Sequence, residues 1–175
     1  MKRCVDVFDY CGEICKGIKK GALLTTAVDG KVNTMTIGWG HLGIEWNLPI
    51  FVAYVRESRF TKELLDKSFT FTVNIATKDA MSEAKRFCGT RSGRNTDKIQ
   101  ELGLTLIEGE KLDVPGIKEF PLTLECKILY SQQQEAEKLP EYLIERFYPN
   151  DNSLSGRDNH IAYYAQILNA YIIEK

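Results

Sequence analysis

The strongest constraint on this chain's fold is the pair Asp29-Gly30, set between two runs of strand-forming residues. Ala22 to Val28 is aliphatic and β-branched, as is much of Val32 to Ile37, and a two-residue Asp-Gly link suits the tight turn of a twisted antiparallel pair. The segment is therefore a hairpin, and the rest of the chain must supply strands that extend its sheet. Ile50 to Val55, Phe69 to Ile75, Leu122 to Gln132 and His160 to Ile173 have the composition for it. Helical segments interrupt these strands without regular alternation. Residues 9 to 18 suit a short amphipathic helix ended by Gly17 and the pair Lys19 and Lys20. Phe60, Leu64 and Leu65 stand at helical spacing within Phe60 to Lys67, residues 79 to 103 are helical and polar with a break at Ser92-Gly93-Arg94-Asn95, and Pro140 to Phe147 forms a further helix before a turn-rich stretch, Pro149 to Asn159. Six or so strands, mostly hairpin-linked, with inserted helices predict a mainly β fold with α decorations: a barrel rather than a doubly wound sheet.

At 175 residues, with 43% hydrophobic and 10% aromatic side chains, the chain suffices for one continuous core. No internal repeat or long linker divides it, so residues 1–175 are read as a single domain. No apolar run reaches the length of a membrane span, and Met1 to Asp6 is polar and acidic where a signal peptide would be apolar; a cytoplasmic protein with no membrane partner is expected. Lys and Arg number 23 against 24 Asp and Glu, and the net charge of −1 gives no field to hold a nucleic acid. Cys4, Cys11, Cys15, Cys88 and Cys126 are odd in number and lack CxxC spacing, so they are read as thiols rather than disulfides or metal ligands.

Three stretches have the chemistry of a binding site. Arg56-Glu57-Ser58-Arg59-Phe60-Thr61 lies where a strand ends and a helix begins, where unpaired N–H groups, hydroxyls and guanidinium forks favour an anion such as a monophosphate. The same pattern fits a plain N-cap at Ser58 with solvated arginines. Asn33-Thr34-Met35-Thr36-Ile37-Gly38-Trp39-Gly40 offers amide and hydroxyl groups to the polar edge of a flat heterocycle, with Met35 and Trp39 for its face; taken alone, the stretch favours an ordinary barrel strand whose glycines make a bend. Lys85 to Lys98 is a local basic cluster around Ser92-Gly93-Arg94, suited to a second anionic contact or to a solvated helix face. His41 has no evident partner and is assigned to the surface.

In order and spacing these stretches, together with Gly21 to Thr26, Phe69 to Asn74, Asp97-Lys98, Glu119 to Cys126 and the terminal strand from His160, resemble the flavin reductase-like, FMN-binding split-barrel family, particularly its flavoredoxin-type members. The similarity runs from about Gly21 to Glu174. It implies a six-stranded antiparallel split β-barrel paired into a homodimer, with noncovalent FMN in a groove near the subunit interface. By resemblance, Asn33, Thr34, Met35 and Thr36 line the isoalloxazine ring, Arg56, Ser58 and Thr61 hold the phosphate, Asn74 lies close to the flavin, and Ser92, Gly93, Arg94 and Lys98 reach the phosphate or ribityl chain. His160, at the start of the last strand, is the one titratable residue in position to act on nicotinamide or substrate; it also suits a structural hydrogen bond. No protein nucleophile is expected, because the hydride chemistry belongs to the flavin.

A GxGxxG turn is absent, so NADH or NADPH, as small-molecule reductant, would have to bind on the barrel itself. The implied activity is NAD(P)H-dependent flavin reduction. Two alternatives stay open: an FMN-containing electron carrier reduced by an electron-transfer protein, and a flavin-free barrel for some other ligand.

Overall fold

A computed structural model describes residues 1–76, 81–150 and 156–174. In chain order the elements are β1 (Lys2–Cys4), a 3-10 turn at Val7–Tyr10, α1 (Cys11–Lys19), β2 (Ala22–Val28), β3 (Lys31–Ile37), β4 (Gly40–Glu45), β5 (Leu48–Arg56), α2 (Phe60–Ser68), β6 (Thr70–Ile75), α3 (Ser82–Thr90), α4 (Lys98–Leu102), β7 (Leu106–Ile107), β8 (Gly116–Ile117), β9 (Leu122–Gln133), a 3-10 turn at Ala136–Lys138, α5 (Glu141–Phe147) and β10 (His160–Ile173). The expected helical character at residues 79 and 80 and the turn at 151–155 lie outside the described residues.

The main sheet is antiparallel in the order β3-β2-β6-β9-β10-β5-β4, with β1 added along the far end of β10. It curls around one core, into which Met35 and Ile37 of β3 pack together with Phe51, Ala53 and Val55 of β5 although those strands stand far apart in the sheet order. The fold class is thus the split barrel that the resemblance implies, with more strands than the six expected. β1 is only three residues long. In the sequence the start of β4 reads as a bend at Gly38-Trp39-Gly40, because Gly40 and Gly43 weaken the strand signal and four of the six residues are exposed. Gly40 is nonetheless required there, since a Cβ would stand 2.9 Å from the Phe51 ring. The turn that closes β4 on β5, Trp46-Asn47, takes positive φ (52° and 57°) like Asp29-Gly30 (50° and 76°), but without a glycine to announce it.

α1 plugs one end of the barrel with Ile14 and Ile18, both buried. Gly17 does not end this helix, as its sequence suggested; the helix continues to Lys19. The glycine is needed for contact, because a Cβ would lie 2.3 Å from Ile75 Cγ2. On the opposite side of β2, α3 and the segment after α4 cover Leu23 with Ala84, Cys88, Leu104, Ile117 and Phe120, forming a second small core. This second core fixes Cys88 and Lys98 beside β3.

Candidate functional site

Three recesses follow one another along β3, from its C-terminal end to its start. The first, about 180 Å³, is walled by Met35 to Trp39 on one side and Tyr54, Arg56, Arg59 and His160 on the other. The second, about 140 Å³, lies over the start of α2 and is lined by Ser58 to Thr61, Cys88, Thr90 to Arg94 and Lys98; it shares Met35 and Arg59 with the first. The third is a groove of about 530 Å³ between Lys31 to Thr34 and the segment Gly93 to Ile99, and it shares Gly93, Arg94 and Lys98 with the second.

Lys98 dominates the electrostatics of this row. It is 4% exposed, and among the described residues its ammonium donates only to the Cys88 carbonyl, 3.3 Å away. Burial, and secondarily the neighbouring Arg59, lower its pKa from the usual lysine value, while the Cys88 side chain opposes the shift. No carboxylate pairs with it among the described residues. A desolvated ammonium without a counter-charge is costly, and an anion in the second recess would relieve that cost. Arg59 and Arg91 line the same cavity, Arg59 donating to the Gly89 carbonyl at 3.1 Å. The Cys88 thiol, pushed up to about 11 chiefly by burial, stays protonated at neutral pH and adds no competing negative charge.

The first recess is aromatic. The His160 ring sits 4.7 Å from that of Trp39, and Tyr54 and Tyr148 meet it edge-on; Phe147 in turn packs edge-on against Trp39. His160 Nδ1 lies 2.8 Å from the Tyr148 hydroxyl, which donates its single proton to Gln134 Oε1 at 3.0 Å. With the Gln134 amide in that orientation, Nδ1 is the protonated nitrogen and Nε2 is left as an acceptor. Burial, and after it the charge of Arg56, lower the His160 pKa to about 4, so the ring is neutral at physiological pH.

Several residues expected to face a ligand have their side chains engaged inside the protein. Asn33 donates through Nδ2 to Thr61 Oγ1 at 2.9 Å, and both are buried. Thr34 bonds to Thr25 and the Leu24 carbonyl, and Thr36 to the Lys85 carbonyl. Asn74 is the clearest departure from its expected place near the flavin, because it lines none of the three recesses. Its amide donates toward Thr25 and Thr72 at 3.1 and 3.0 Å and accepts from Ile117 N–H at 3.0 Å, tying β6 to β2 and β8. Ser58 also departs from the phosphate role: its N–H and hydroxyl both donate to the Asp158 carboxylate. Arg56 donates to the carbonyls of Asp158 and Phe147 at 2.6 and 2.9 Å, holding the strap before β10 against the end of β5. The start of α2 does attract an anion, but it is one from the chain itself.

Ser92 and Gly93 are brought to the second recess together with Arg94, which pairs with Glu63 and lies over the Phe60 ring. Gly93 is packed so closely on Asn33 that a Cβ would meet Oδ1 at 1.9 Å. Residues that the sequence left unmarked include Cys88, Phe147 and Tyr148; the last two belong to a short helix end with no pattern to announce them. His41 is exposed as expected, but it has a partner, its Nδ1 standing 3.3 Å from the Tyr54 hydroxyl.

Solved structures share this fold. The flavoredoxin of Methanosarcina acetivorans superposes with a TM-score of 0.67 at 26% identity, over 88% of this chain and 68% of that one. The flavoredoxin of Desulfovibrio vulgaris has a TM-score of 0.66 at 23% identity, over 88% and 69%. An FMN-binding domain of a flavin reductase-like enzyme from Shewanella baltica reaches 0.70 at 17% identity, over 98% and 77%. An uncharacterized protein of Archaeoglobus fulgidus is 31% identical over 107 residues, which is 61% of this chain and 59% of that protein's length. The model of the flavin reductase like domain matches residues 17–171, nearly the whole barrel and all three recesses, and this chain therefore belongs to the flavin reductase-like domain family.

Proposed function

We propose that the chain binds FMN noncovalently across the first two recesses and serves as an NAD(P)H-dependent flavin oxidoreductase. The observation that carries this reading is Lys98, a nearly buried ammonium with no carboxylate partner among the described residues, set beside an aromatic recess of the kind a flat heterocycle fills. The residues present fit the cofactor. Lys98, Arg59 and Arg91 would hold the phosphate, and Met35 to Trp39 would lie along the ring, with the Thr36 hydroxyl already spent on Lys85. When bound, FMN supplies reversible hydride acceptance. The chain's part is to orient the ring, to exclude water from one face with Trp39, and to present neutral His160 as a hydrogen-bond acceptor to the second face or its occupant.

The flavoredoxin likeness favours a second reading, an electron carrier reduced by a protein partner. We also infer a homodimer, supported by apolar side chains on the sheet's outer surface: Leu129, Tyr130 and Leu168 are 44%, 47% and 36% exposed. A cytoplasmic setting is supported by five free thiols.

An absorbance spectrum of protein reconstituted with FMN, followed by anaerobic NADH and then NADPH, tests the proposal. Bleaching by either nucleotide supports the oxidoreductase; a yellow protein indifferent to both is a carrier; a protein that fails to take up FMN is neither. Lys98→Gln should weaken FMN binding about tenfold or more, since a charge-assisted phosphate contact is worth roughly 1.5–3 kcal/mol.

A further inference from the structure

Tyr148 stands between two hydrogen-bonding partners, the His160 ring at 2.8 Å and the Gln134 amide oxygen at 3.0 Å. All three residues are held by further contacts. The Gln134 N–H donates to the His160 carbonyl at 2.8 Å, which locks the end of β9 to the start of β10. Tyr148 is buried, the Arg56 guanidinium lies over its ring, and its carbonyl accepts from Arg157 at 3.1 Å. With the backbones fixed, the Gln134 amide decides which way the shared hydroxyl proton points. Because Oε1 takes that proton, the hydroxyl oxygen is left to accept, and His160 donates to it from Nδ1. A free neutral imidazole of histidine carries its proton mainly on Nε2, so the neighbours impose this arrangement. His160 lines the first recess whereas Tyr148 and Gln134 do not, and Nε2 has no partner among the described residues. The recess therefore meets a lone pair at that ring edge, not an N–H.

We propose that Gln134 and Tyr148 are positioning residues that hold His160 as its Nδ1–H tautomer, so that the first recess selects an occupant able to donate an N–H to Nε2. Neither residue touches the occupant; both act through the His160 ring. A carboxamide meets the requirement, whereas a ketone of the same shape sets its oxygen against the Nε2 lone pair. The positioning stands independently of any flavin, and only the identity of the occupant as a nicotinamide rests on the function proposed above.

Nitrogen-15 spectra of the imidazole rings, taken on the flavin-free full chain at neutral pH, read the tautomer directly, because protonated and unprotonated ring nitrogens resonate far apart. The chain has two histidines, and His41→Asn assigns the signals. The wild type should show His160 protonated at Nδ1. Gln134→Leu should turn the hydroxyl proton onto Nδ1 and move the ring proton to Nε2, while Gln134→Glu, whose carboxylate still accepts, should keep the wild-type pattern. Tyr148→Phe, which leaves Nδ1 without an acceptor, should also move the proton to Nε2 and carries the test should Gln134→Leu fail to fold. A wild-type ring protonated at Nε2, or variants that leave the tautomer unchanged, would overturn the inference. On the FMN-loaded chain, calorimetry then compares NAD or NADP, whichever binds more tightly, with its acetylpyridine analogue, in which a methyl replaces the carboxamide NH2. The wild type should favour the carboxamide about tenfold, and Gln134→Leu should bring the two within about twofold. An unchanged preference, or no binding of either nucleotide, overturns the selectivity. A chain that takes up no FMN overturns the flavin reading, while the ring spectra still decide the positioning.

Discussion

Ser58 grips Asp158 with two hydrogen bonds at once, its N–H reaching Oδ1 at 3.0 Å and its hydroxyl reaching Oδ2 at 2.7 Å. The two residues lie a hundred positions apart, and with the Glu57 N–H to Asn159 carbonyl bond they seat the strap that carries the chain into β10. Asp158→Ala should destabilise the fold by about 1–2 kcal/mol, the range for charge-assisted bonds near the surface. It should also loosen the aromatic recess, because Arg56 holds the same strap. A melting temperature together with the near-ultraviolet dichroism of Trp39 and Tyr148 reads both effects; an unchanged aromatic signal would show that the strap does not depend on this clasp.

His160 gives the fold an acid-sensitive joint. Its pKa is lowered to about 4 in the folded chain, mainly by burial, whereas the unfolded residue titrates near 6.5. Between these values the unfolded state binds more protons, so stability falls as pH drops from about 6.5 toward 4 and is unaffected by this group above that window. The loss should be on the order of 2 kcal/mol. His160→Gln should flatten it. Denaturation midpoints at several pH values in both proteins provide the check, and parallel curves would assign the acid sensitivity to other groups.

Gly93 and Asn33 should be energetically coupled. A methyl group on Gly93 would collide with Asn33 Oδ1, and the buried Asn33 cannot swing away without releasing Thr61. Gly93→Ala should therefore cost about 1–3 kcal/mol, the usual range for overpacking, and adding Asn33→Ala should recover part of it. A double-mutant cycle by chemical denaturation measures the coupling, and strict additivity would show that the loop yields instead.

For Asn74 the expectation is structural. Removing an amide that joins β6 to β2 and the β8 segment, buried throughout, should lower stability by about 3 kcal/mol in Asn74→Ala. Folded variant should still bind FMN with wild-type affinity. A selective loss of flavin affinity at unchanged stability would return Asn74 to the site.

How legible these features were in the sequence depended on whether the signal was local. The β2–β3 hairpin and the bounds of α2 and β10 were readable because composition and turn chemistry agree within a few residues. Gly17 was misread because a glycine late in a helix looks the same whether it stops the helix or admits Ile75 against it. β4 escaped because exposed side chains carry no pattern. In the site, the basic cluster pointed to Lys98 without revealing its burial, which arises from α3, α4 and β3 closing around it. The local pattern at Ser58 suits an anion, but the anion it holds is the Asp158 carboxylate rather than a ligand phosphate, through a contact a hundred residues away that no local pattern encodes.

Lys98 also sets folding and binding against each other. Replacing its ammonium with the apolar stem of methionine would remove a desolvation cost and should make the ligand-free chain more resistant to heat, while depriving it of the charge a phosphate needs. Under the proposed phosphate role, phosphate-bearing molecules should raise the chain's melting temperature in step with how tightly they bind, offsetting the cost of the buried ammonium.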